Sequence, residues 1–308
     1  MNDLFAAFSN SLIALALCIA VGFFCRRRHM LNDIHVSGMT GLLVKVAMPA
    51  TVFMSLMRPF STELLLEGVA AFFITGAVFL TGGFIGMALA RALRASQSEG
   101  QAWRFGLTFG NVGFMGIPVI YAVFGYEGMF YVAMANAAFN LLTFTIGIRM
   151  FDTEKTVKVG VVSTFVNNPA LPATVIGIVF FLTGIRLPTA LEGGVNLIHS
   201  LTSPISMILI GALLAKQRLK DTFMDRRVLP PNAVKLLVLP LITWLALRWI
   251  IPNPVMLGVI VTLMAMPPAA STAIFAEQFG KDADAAVRLV IVGTILCIAT
   301  VPLVSLLL

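Results

Sequence analysis

Long apolar segments follow one another along almost the whole chain, and short polar links separate them. Hydrophobic residues make up 59% of the 308 residues and charged residues only 11%, whereas a soluble domain usually has about 25% charged residues. A helix needs about 20 apolar residues to cross a bilayer. The pattern therefore predicts an all-α integral membrane protein with ten spanning helices.

The predicted spans fall into two groups of five. They cover residues 4–25, 34–57, 64–90, 105–124 and 129–148, then 167–183, 191–215, 233–251, 255–279 and 285–308. The first repeat occupies residues 1–151, a short link occupies 152–158, and the second repeat occupies 159–308. Because five crossings are an odd number, the second repeat should insert inverted relative to the first.

Residues that break membrane helices interrupt two of these spans. The sequence GNVGFMGIP occupies residues 110–118 in the fourth span, and AMPPAAST occupies residues 265–272 in the ninth. Proline also interrupts the second and seventh spans, at Pro49 and Pro204. Pro204 follows Pro49 by 155 residues, the same interval that separates residue 266 from residue 111. Matching interruptions in two halves of a chain indicate a transport site.

The two interrupted stretches predict an anion site. A helix that restarts within the bilayer presents unpaired N–H groups and a positive dipole end, which attract carboxylates. The expected substrate-binding residues are Asn111, Gly113, Gly116, Pro118, Pro267, Pro268, Ser271 and Thr272. The alternative is that these residues form ordinary proline kinks and helix-packing glycines.

Other polar residues within the spans have two interpretations each. Asn136 and Asn140 share one helical face and either line the substrate site or bond neighbouring helices. Glu277 couples protons or is a solvated residue at the cytoplasmic end. Lys45 attracts the anion or extends its ammonium towards the cytoplasm. His199 relays protons or packs as a neutral ring.

The distribution of charge predicts the orientation of the chain. The links after odd-numbered spans, with their helix ends, hold 17 of the 21 basic residues, and the exceptions are Arg58, Arg186, Arg248 and the intramembrane Lys45. Basic links face the cytoplasm, so both termini should lie outside. The basic residues are scattered between apolar runs, which excludes a nucleic-acid surface. Three separated cysteines and the lack of metal-ligand or nucleophile spacing predict no metal, no cofactor and no enzymatic activity.

These interruptions are similar to those of the auxin efflux carrier family, which includes plant PIN-formed carriers and bacterial malate and malonate permeases. The resemblance covers essentially the whole chain. It is carried by GNxGFxGxP at residues 110–118, Ala47-Met48-Pro49-Ala50, Asn168-Pro169, Pro204 with Gly211, and Pro267-Pro268 leading to Ala276-Glu277-Gln278-Phe279-Gly280.

The resemblance implies a fold like that of sodium/proton antiporters and bile acid symporters. Spans 1, 2, 6 and 7 would form a scaffold, often dimeric, and spans 3–5 and 8–10 a moving transport domain. Spans 4 and 9 would cross at the substrate. The short link between the halves resembles that of bacterial members and implies a bacterial inner membrane. Ser271 stands where many members have asparagine, which affects the choice of substrate.

The sequence and the resemblance together predict a secondary transporter of a small organic anion. The expected cargo is a carboxylate such as malate, malonate or an auxin-like acid, carried by elevator-type alternating access. One alternative is a sodium- or proton-coupled symporter of the same fold, although no paired intramembrane aspartates are present to bind a cation. The other alternative is a membrane sensor that binds the anion without moving it.

Overall fold

The computed structural model of the chain describes residues 2–152, 169–216 and 225–308. Every regular element in these ranges is helical, which confirms the all-α prediction. The predicted link at residues 152–158 and the Asn168-Pro169 start of the sixth span lie outside the described residues, apart from Asp152 and Pro169.

Eleven labels describe the helices in chain order. They are α1 (Asn2–Arg27), α2 (Asp33–Leu56), α3 (Thr62–Ala92), α4 (Gln97–Thr108), α5 (Val112–Phe151), α6 (Ala170–Thr183), α7 (Thr189–Lys216), α8 (Arg226–Leu247), α9 (Pro254–Met264), α10 (Ser271–Gln278) and α11 (Ala283–Ser305). Among the described residues, six helices are long and apolar enough to cross a membrane, namely α2, α3, α5, α7, α8 and α11. Shorter apolar helices are α6 and α9.

Helix α5 joins segments that the sequence pattern places in two separate spans. It extends over 40 residues, far more than the roughly 20 that cross a bilayer. Within it, Gly125 has φ 58° and ψ −150°, a backbone conformation that is essentially restricted to glycine. The polar link expected between the fourth and fifth spans is therefore reduced to one non-helical residue, which divides α5 into residues 112–124 and 126–151.

Prolines distort helices α2 and α7. In α2 a wide helical turn, Leu43–Ala47, comes directly before the Met48–Leu56 stretch that contains Pro49. In α7 the helix is interrupted at Leu201, three residues before Pro204. Proline cannot donate a backbone hydrogen bond and its ring crowds the preceding turn, so each distortion lies on the N-terminal side of the proline.

Helices α1 and α7 cross at unusually short distance. A Cβ atom at Gly22 would overlap the backbone of Ile208, and one at Gly211 would overlap the backbone of Ile19. Only glycine permits such close approach, as in membrane helix pairs generally. Helix α2 packs against α6 and α7, so α1, α7, α2 and α6 form a connected series of contacts in that order.

A cluster of buried aromatic rings supports the fourth span. Phe105 of α4 and Phe109, which directly follows the end of α4, have ring centroids 4.7 Å apart. Phe139 of α5 packs edge-on against Phe109 at 5.6 Å, and Phe275 of α10 packs edge-on against Phe105 at 5.5 Å. These rings connect α4 to α5 and α10, which fixes where α4 ends.

Helix α8 lies closer to the N-terminus than the sequence pattern predicts. It covers Arg226–Leu247 instead of residues 233–251. Arg248 follows its end, and its guanidinium lies 4.5 Å from the ring of Trp244 and 4.7 Å from that of Trp249. Trp249 is 81% exposed, as expected for an aromatic residue at a membrane interface. The shift also moves Lys235 from a helix end into the helix interior.

Candidate functional site

The two interrupted stretches meet at the centre of the protein. The backbone N–H of Asn111 donates to the carbonyl of Pro267 at 2.7 Å, and the N–H of Ala269 donates to the carbonyl of Phe109 at 2.9 Å. Gly110 and Pro268 thereby form a single antiparallel bridge. The bridge pairs backbone groups that would otherwise be exposed in a break, which membrane proteins require. We call residues 109–118 and 265–272 the crossover.

The crossover is formed by the ends of four helices. Helices α4 and α9 end there at Thr108 and Met264, while α5 and α10 begin there at Val112 and Ser271. Helix starts carry partial positive charge and helix ends carry partial negative charge. The crossover therefore presents two positive and two negative dipole ends close together, a setting in which a few side chains determine which charge is bound.

Asn111 caps the restarted helix α5. Its Oδ1 accepts a hydrogen bond from the N–H of Phe114 at 3.1 Å, and the residue is buried. Capping of this kind satisfies one of the free N–H groups at a helix start. Asn111 thus has a structural task in addition to the binding role predicted for it.

Glycines at the crossover permit close contact with other elements. A Cβ atom at Gly110 would lie 3.1 Å from the carbonyl oxygen of Leu263 and 3.3 Å from Nζ of Lys235. A Cβ atom at Gly113 would overlap the end of the Met48 side chain. Gly113 therefore faces α2, and Gly110 faces α8 and α9. Gly116 and Pro118 follow in the first turns of α5 and are also close-packed, with Pro118 buried.

Ser271 and Thr272 bring unsatisfied hydroxyl groups to the start of α10. Within the described part of the chain, neither Oγ of Ser271 nor Oγ1 of Thr272 has a hydrogen-bond partner, although both atoms are shielded from solvent. A buried hydroxyl without a partner costs about 1–3 kcal/mol. Such groups at a predicted binding site are suited to pair with a ligand.

Lys235 is a candidate site residue that the sequence analysis missed. It is fully buried in α8, and its Nζ donates to the carbonyl of Leu107, in the last turn of α4, at 3.3 Å. No ion pair within the described residues involves this lysine. Counting Lys235 with a basic link was therefore wrong. A lysine inside an otherwise apolar helix is the signal that could have identified it, because such residues tend to be functional.

Asn232, one turn before Lys235, also lies beside the crossover. Its Nδ2 donates to the carbonyls of Val228 at 2.9 Å and Leu289 at 3.1 Å. Its Oδ1 is buried and has no partner among the described residues. A Cβ atom at Gly293 would contact both this Oδ1 and the ring of Pro268, so the asparagine lies close to the double proline.

The other predicted polar residues are not all near the crossover. Asn136 and Asn140 are buried on α5, the helix whose Phe139 ring contacts Phe109. Glu277 lies on an exposed part of α10, and Lys45 is exposed in the wide turn of α2. The geometry brings neither charged side chain into the crossover.

His199 lies on α7, between α2 and α5. Its Nδ1 is 3.0 Å from Oγ1 of Thr51, and Thr51 is 2.7 Å from Oγ1 of Thr202. The imidazole packs edge-on against the ring of Tyr121 at 5.3 Å. His199 is thus buried in a packed, hydrogen-bonded cluster. Pro49 and Pro204 flank the same cluster, two residues from Thr51 and Thr202 respectively.

Comparison with known proteins gives the family. A family model described as "Membrane transport protein" matches residues 7–305. An "Uncharacterized transporter" of Methanothermobacter thermautotrophicus is 23% identical over 98% of this chain and 99% of its own length. The "Uncharacterized transporter YfdV" of Escherichia coli is 22% identical over 96% of each chain. A protein of Rhizobium meliloti with the name "Putative malonate transporter" is 23% identical over 84% of this chain and 82% of its own length.

These relatives carry the names of transporters and not of enzymes, and the family match spans nearly the whole sequence. Together with the apolar helices, the match makes the protein an integral membrane transporter. The chain belongs to the membrane transport protein family whose members are the auxin efflux carriers, as its crossover motif indicates.

Proposed function

We propose that the protein is a secondary carrier of a small organic anion, and that the anion is a carboxylate bound at the crossover. The observation that carries the proposal is the buried ammonium group of Lys235 beside Gly110, without a carboxylate partner among the described residues. An isolated charge costs several kcal/mol when it is taken out of water. An anionic substrate would supply the missing counter-charge.

The groups around Lys235 fit a carboxylate better than a cation. Two helix starts, at Val112 and Ser271, direct N–H groups to the crossover, and helix starts bind carboxylates. The unpaired hydroxyls of Ser271 and Thr272 supply further donors. Among the described residues, no group of three or more histidine, cysteine or acidic side chains forms a cation site. The name of the Rhizobium relative, which refers to malonate, agrees with a carboxylate.

The proposed mechanism is elevator-type alternating access within ten spanning helices arranged as two inverted repeats. Helices α1, α2, α6 and α7 would serve as the scaffold, and α3 to α5 with α8 to α11 would carry the crossover. Contacts between these groups include the Met48 side chain against Gly113. They also include an apolar cluster in which Ile19 and Met207 face Met115 and Met266. Flexible methionine side chains suit a surface that must repack as it slides.

The proposed orientation has both termini outside a bacterial inner membrane, and the direction of transport is export or exchange. A monoanion that leaves an inside-negative cell gains about 2.3 kcal/mol per 100 mV. Export therefore requires no coupled cation.

The test is a thermal-shift screen of the purified protein against mono- and dicarboxylates, followed by flux of the stabilising compound into proteoliposomes. A ligand that binds only the folded state raises the unfolding temperature. Asn111→Ala should remove the shift. If this variant is stabilised as strongly as the wild type, the binding site is not at Asn111. If binding occurs without flux, the protein is a sensor.

Proton coupling is a second candidate, and a half-buried cluster that contains an acidic residue favours it. Glu67 of α3 accepts a hydrogen bond from the Tyr131 hydroxyl at 2.5 Å and one from Nδ2 of Asn253 at 3.0 Å. Asn253 also caps the start of α9 through its Oδ1. Protonation of Glu67 would therefore alter its bond to Asn253 at the start of α9, the helix that ends at the crossover. Flux that follows an imposed pH gradient, and that loses this dependence in Glu67→Gln, would identify a proton symporter.

A further inference from the structure

A second cavity lies away from the crossover, where α3 ends and α4 begins. Its volume is about 360 Å³. Three arginines line it, Arg91, Arg94 and Arg104, and among the residues that the structure describes no acidic side chain does. The nearest carboxylate in sequence, Glu99, is engaged elsewhere, because it pairs with Arg227 at 2.8 Å. The cavity therefore has a strong positive charge that the described residues do not neutralise.

Two buried polar atoms on side chains that line this cavity have no partner among the described residues. They are Nε of Arg104, a hydrogen-bond donor, and Oε1 of Gln101, an acceptor. These side chains are one turn apart on α4, and both line the cavity. Buried polar groups are nearly always hydrogen-bonded in proteins. The unpaired atoms therefore indicate a ligand that offers anionic oxygens together with a hydroxyl or another donor.

The cavity continues into an apolar surface on one side. Met87, Ala90 and Met150 line it together with the arginines. Phe84, Met87 and Arg91 follow one another at helical spacing along one face of α3, and Phe84 is 65% exposed. A charged end next to an exposed apolar strip matches a phospholipid, with the headgroup among the arginines and an acyl chain along Phe84. A free phosphate or dicarboxylate would leave the apolar side unused.

We propose that this cavity binds an anionic phospholipid, with its phosphate held by Arg91, Arg94 and Arg104 and a headgroup hydroxyl donated to Gln101. Basic pockets between membrane helices bind lipid headgroups by the same physics. The guanidinium groups can hold phosphate oxygens through paired hydrogen bonds. The bound lipid joins the end of α3 to the start of α4, the helix that leads directly to the crossover.

The test measures lipid retention by native mass spectrometry after extraction from nanodiscs made of phosphatidylglycerol and phosphatidylcholine. The test variant is Arg91→Gln combined with Arg94→Asn. Arg94 has φ 48°, a conformation that asparagine tolerates better than most residues. We expect this double variant to retain roughly tenfold less phosphatidylglycerol than the wild type, because two charges near the headgroup are lost.

The matched control is Arg27→Gln combined with Arg28→Gln, which removes two exposed charges at the end of α1. The control should retain phosphatidylglycerol as the wild type does. Equal loss in both double variants would mean that overall charge determines retention and would overturn the proposal. Full displacement of the lipid by inorganic phosphate would also overturn it, because the cavity would then be a site for small anions.

Two further measurements distinguish loss of lipid binding from misfolding and from failure of the proposed transport site. Ala90→Phe leaves every charge in place but fills the cavity, and it should reduce phosphatidylglycerol retention as well. Carboxylate binding at the crossover should persist in Arg91→Gln with Arg94→Asn. Loss of lipid with intact carboxylate binding therefore supports the lipid site. If the wild type fails to bind any carboxylate, that result contradicts only the proposed function.

Discussion

Nζ of Lys235 donates a hydrogen bond to the carbonyl of Leu107 at 3.3 Å, so the ammonium group lies at the negative end of the α4 dipole. A cation near the last carbonyls of a helix is stabilised by this dipole. The contact explains how a fully buried lysine persists beside the crossover with no ion-pair partner among the described residues. It also places the charge beside Gly110, where the two interrupted spans meet.

Replacing Lys235 with methionine should weaken carboxylate binding and leave the fold intact. Methionine has similar length and no charge, and replacing a buried charge with a packed apolar side chain is often neutral or stabilising. Loss of one charge-assisted hydrogen bond should weaken the affinity by roughly tenfold or more. The measurement is the ligand-induced shift in unfolding temperature, with Lys45→Met as control because Lys45 is exposed. Unchanged affinity in Lys235→Met would remove this lysine from the site.

Two substitutions at Asn111 should separate capping from binding. Asn111→Asp keeps an oxygen acceptor for the N–H of Phe114 but adds a negative charge, so we expect near-normal stability and no carboxylate binding. Asn111→Ala loses the cap, and the free energy of unfolding should fall by about 1 kcal/mol. Denaturation of both unliganded variants, followed by titration with the carboxylate, tests the two effects. Tight carboxylate binding by Asn111→Asp would place the anion elsewhere.

Gly110→Ala should destabilise the protein because the bridge at this position has no room for a side chain. The added methyl group would lie 3.1 Å from the Leu263 carbonyl oxygen and 3.3 Å from Nζ of Lys235. Forcing an extra carbon into a packed interior costs about 1–3 kcal/mol. The control is Gly38→Ala in α2, where a Cβ atom meets nothing within 4 Å. This control should gain about 0.5–1 kcal/mol. Equal unfolding midpoints for both variants would contradict the close approach at Gly110.

Thr272→Val should raise the stability of the unliganded protein and lower its affinity for the anion. The hydroxyl is buried without a partner among the described residues, so replacing it with a methyl group of similar size removes a cost of about 1–3 kcal/mol. Thr51→Val provides the contrast, because its hydroxyl bonds the Ala47 carbonyl at 2.9 Å and contacts His199 and Thr202. That variant should be destabilised. Thermal unfolding of both variants, with and without carboxylate, measures the expected rise in stability of Thr272→Val and the expected fall in Thr51→Val.

Several features of the fold could be predicted from the sequence because their causes are local. The breaks at Pro49, Pro204 and the two crossover stretches follow from the chemistry of proline and glycine, and the structure has non-helical backbone or distorted turns at each. The pairing of the two stretches across 155 residues also follows from their matching positions.

Other features depend on tertiary contacts and were missed. Helix α4 begins at Gln97 and includes Arg104, so its mean hydropathy is too low to suggest a membrane segment. Lys235 appeared to be a helix-end residue because α8 starts earlier than its apolar run, within Arg226-Arg227-Val228. Glu67 lies near the start of the predicted third span, and no sequence pattern marks it. It forms hydrogen bonds with Tyr131 and Asn253, which are 64 and 186 residues away from it along the chain.

The bridge between Gly110 and Pro268 uses only main-chain groups. Its hydrogen bonds do not depend on which side chains stand at positions 111, 271 and 272, provided that the backbone keeps its course. The main-chain frame of the crossover is therefore separable from the side chains to which we assign the choice of substrate. Substitutions at these three positions should change which anion is bound while the crossing of the two stretches stays the same.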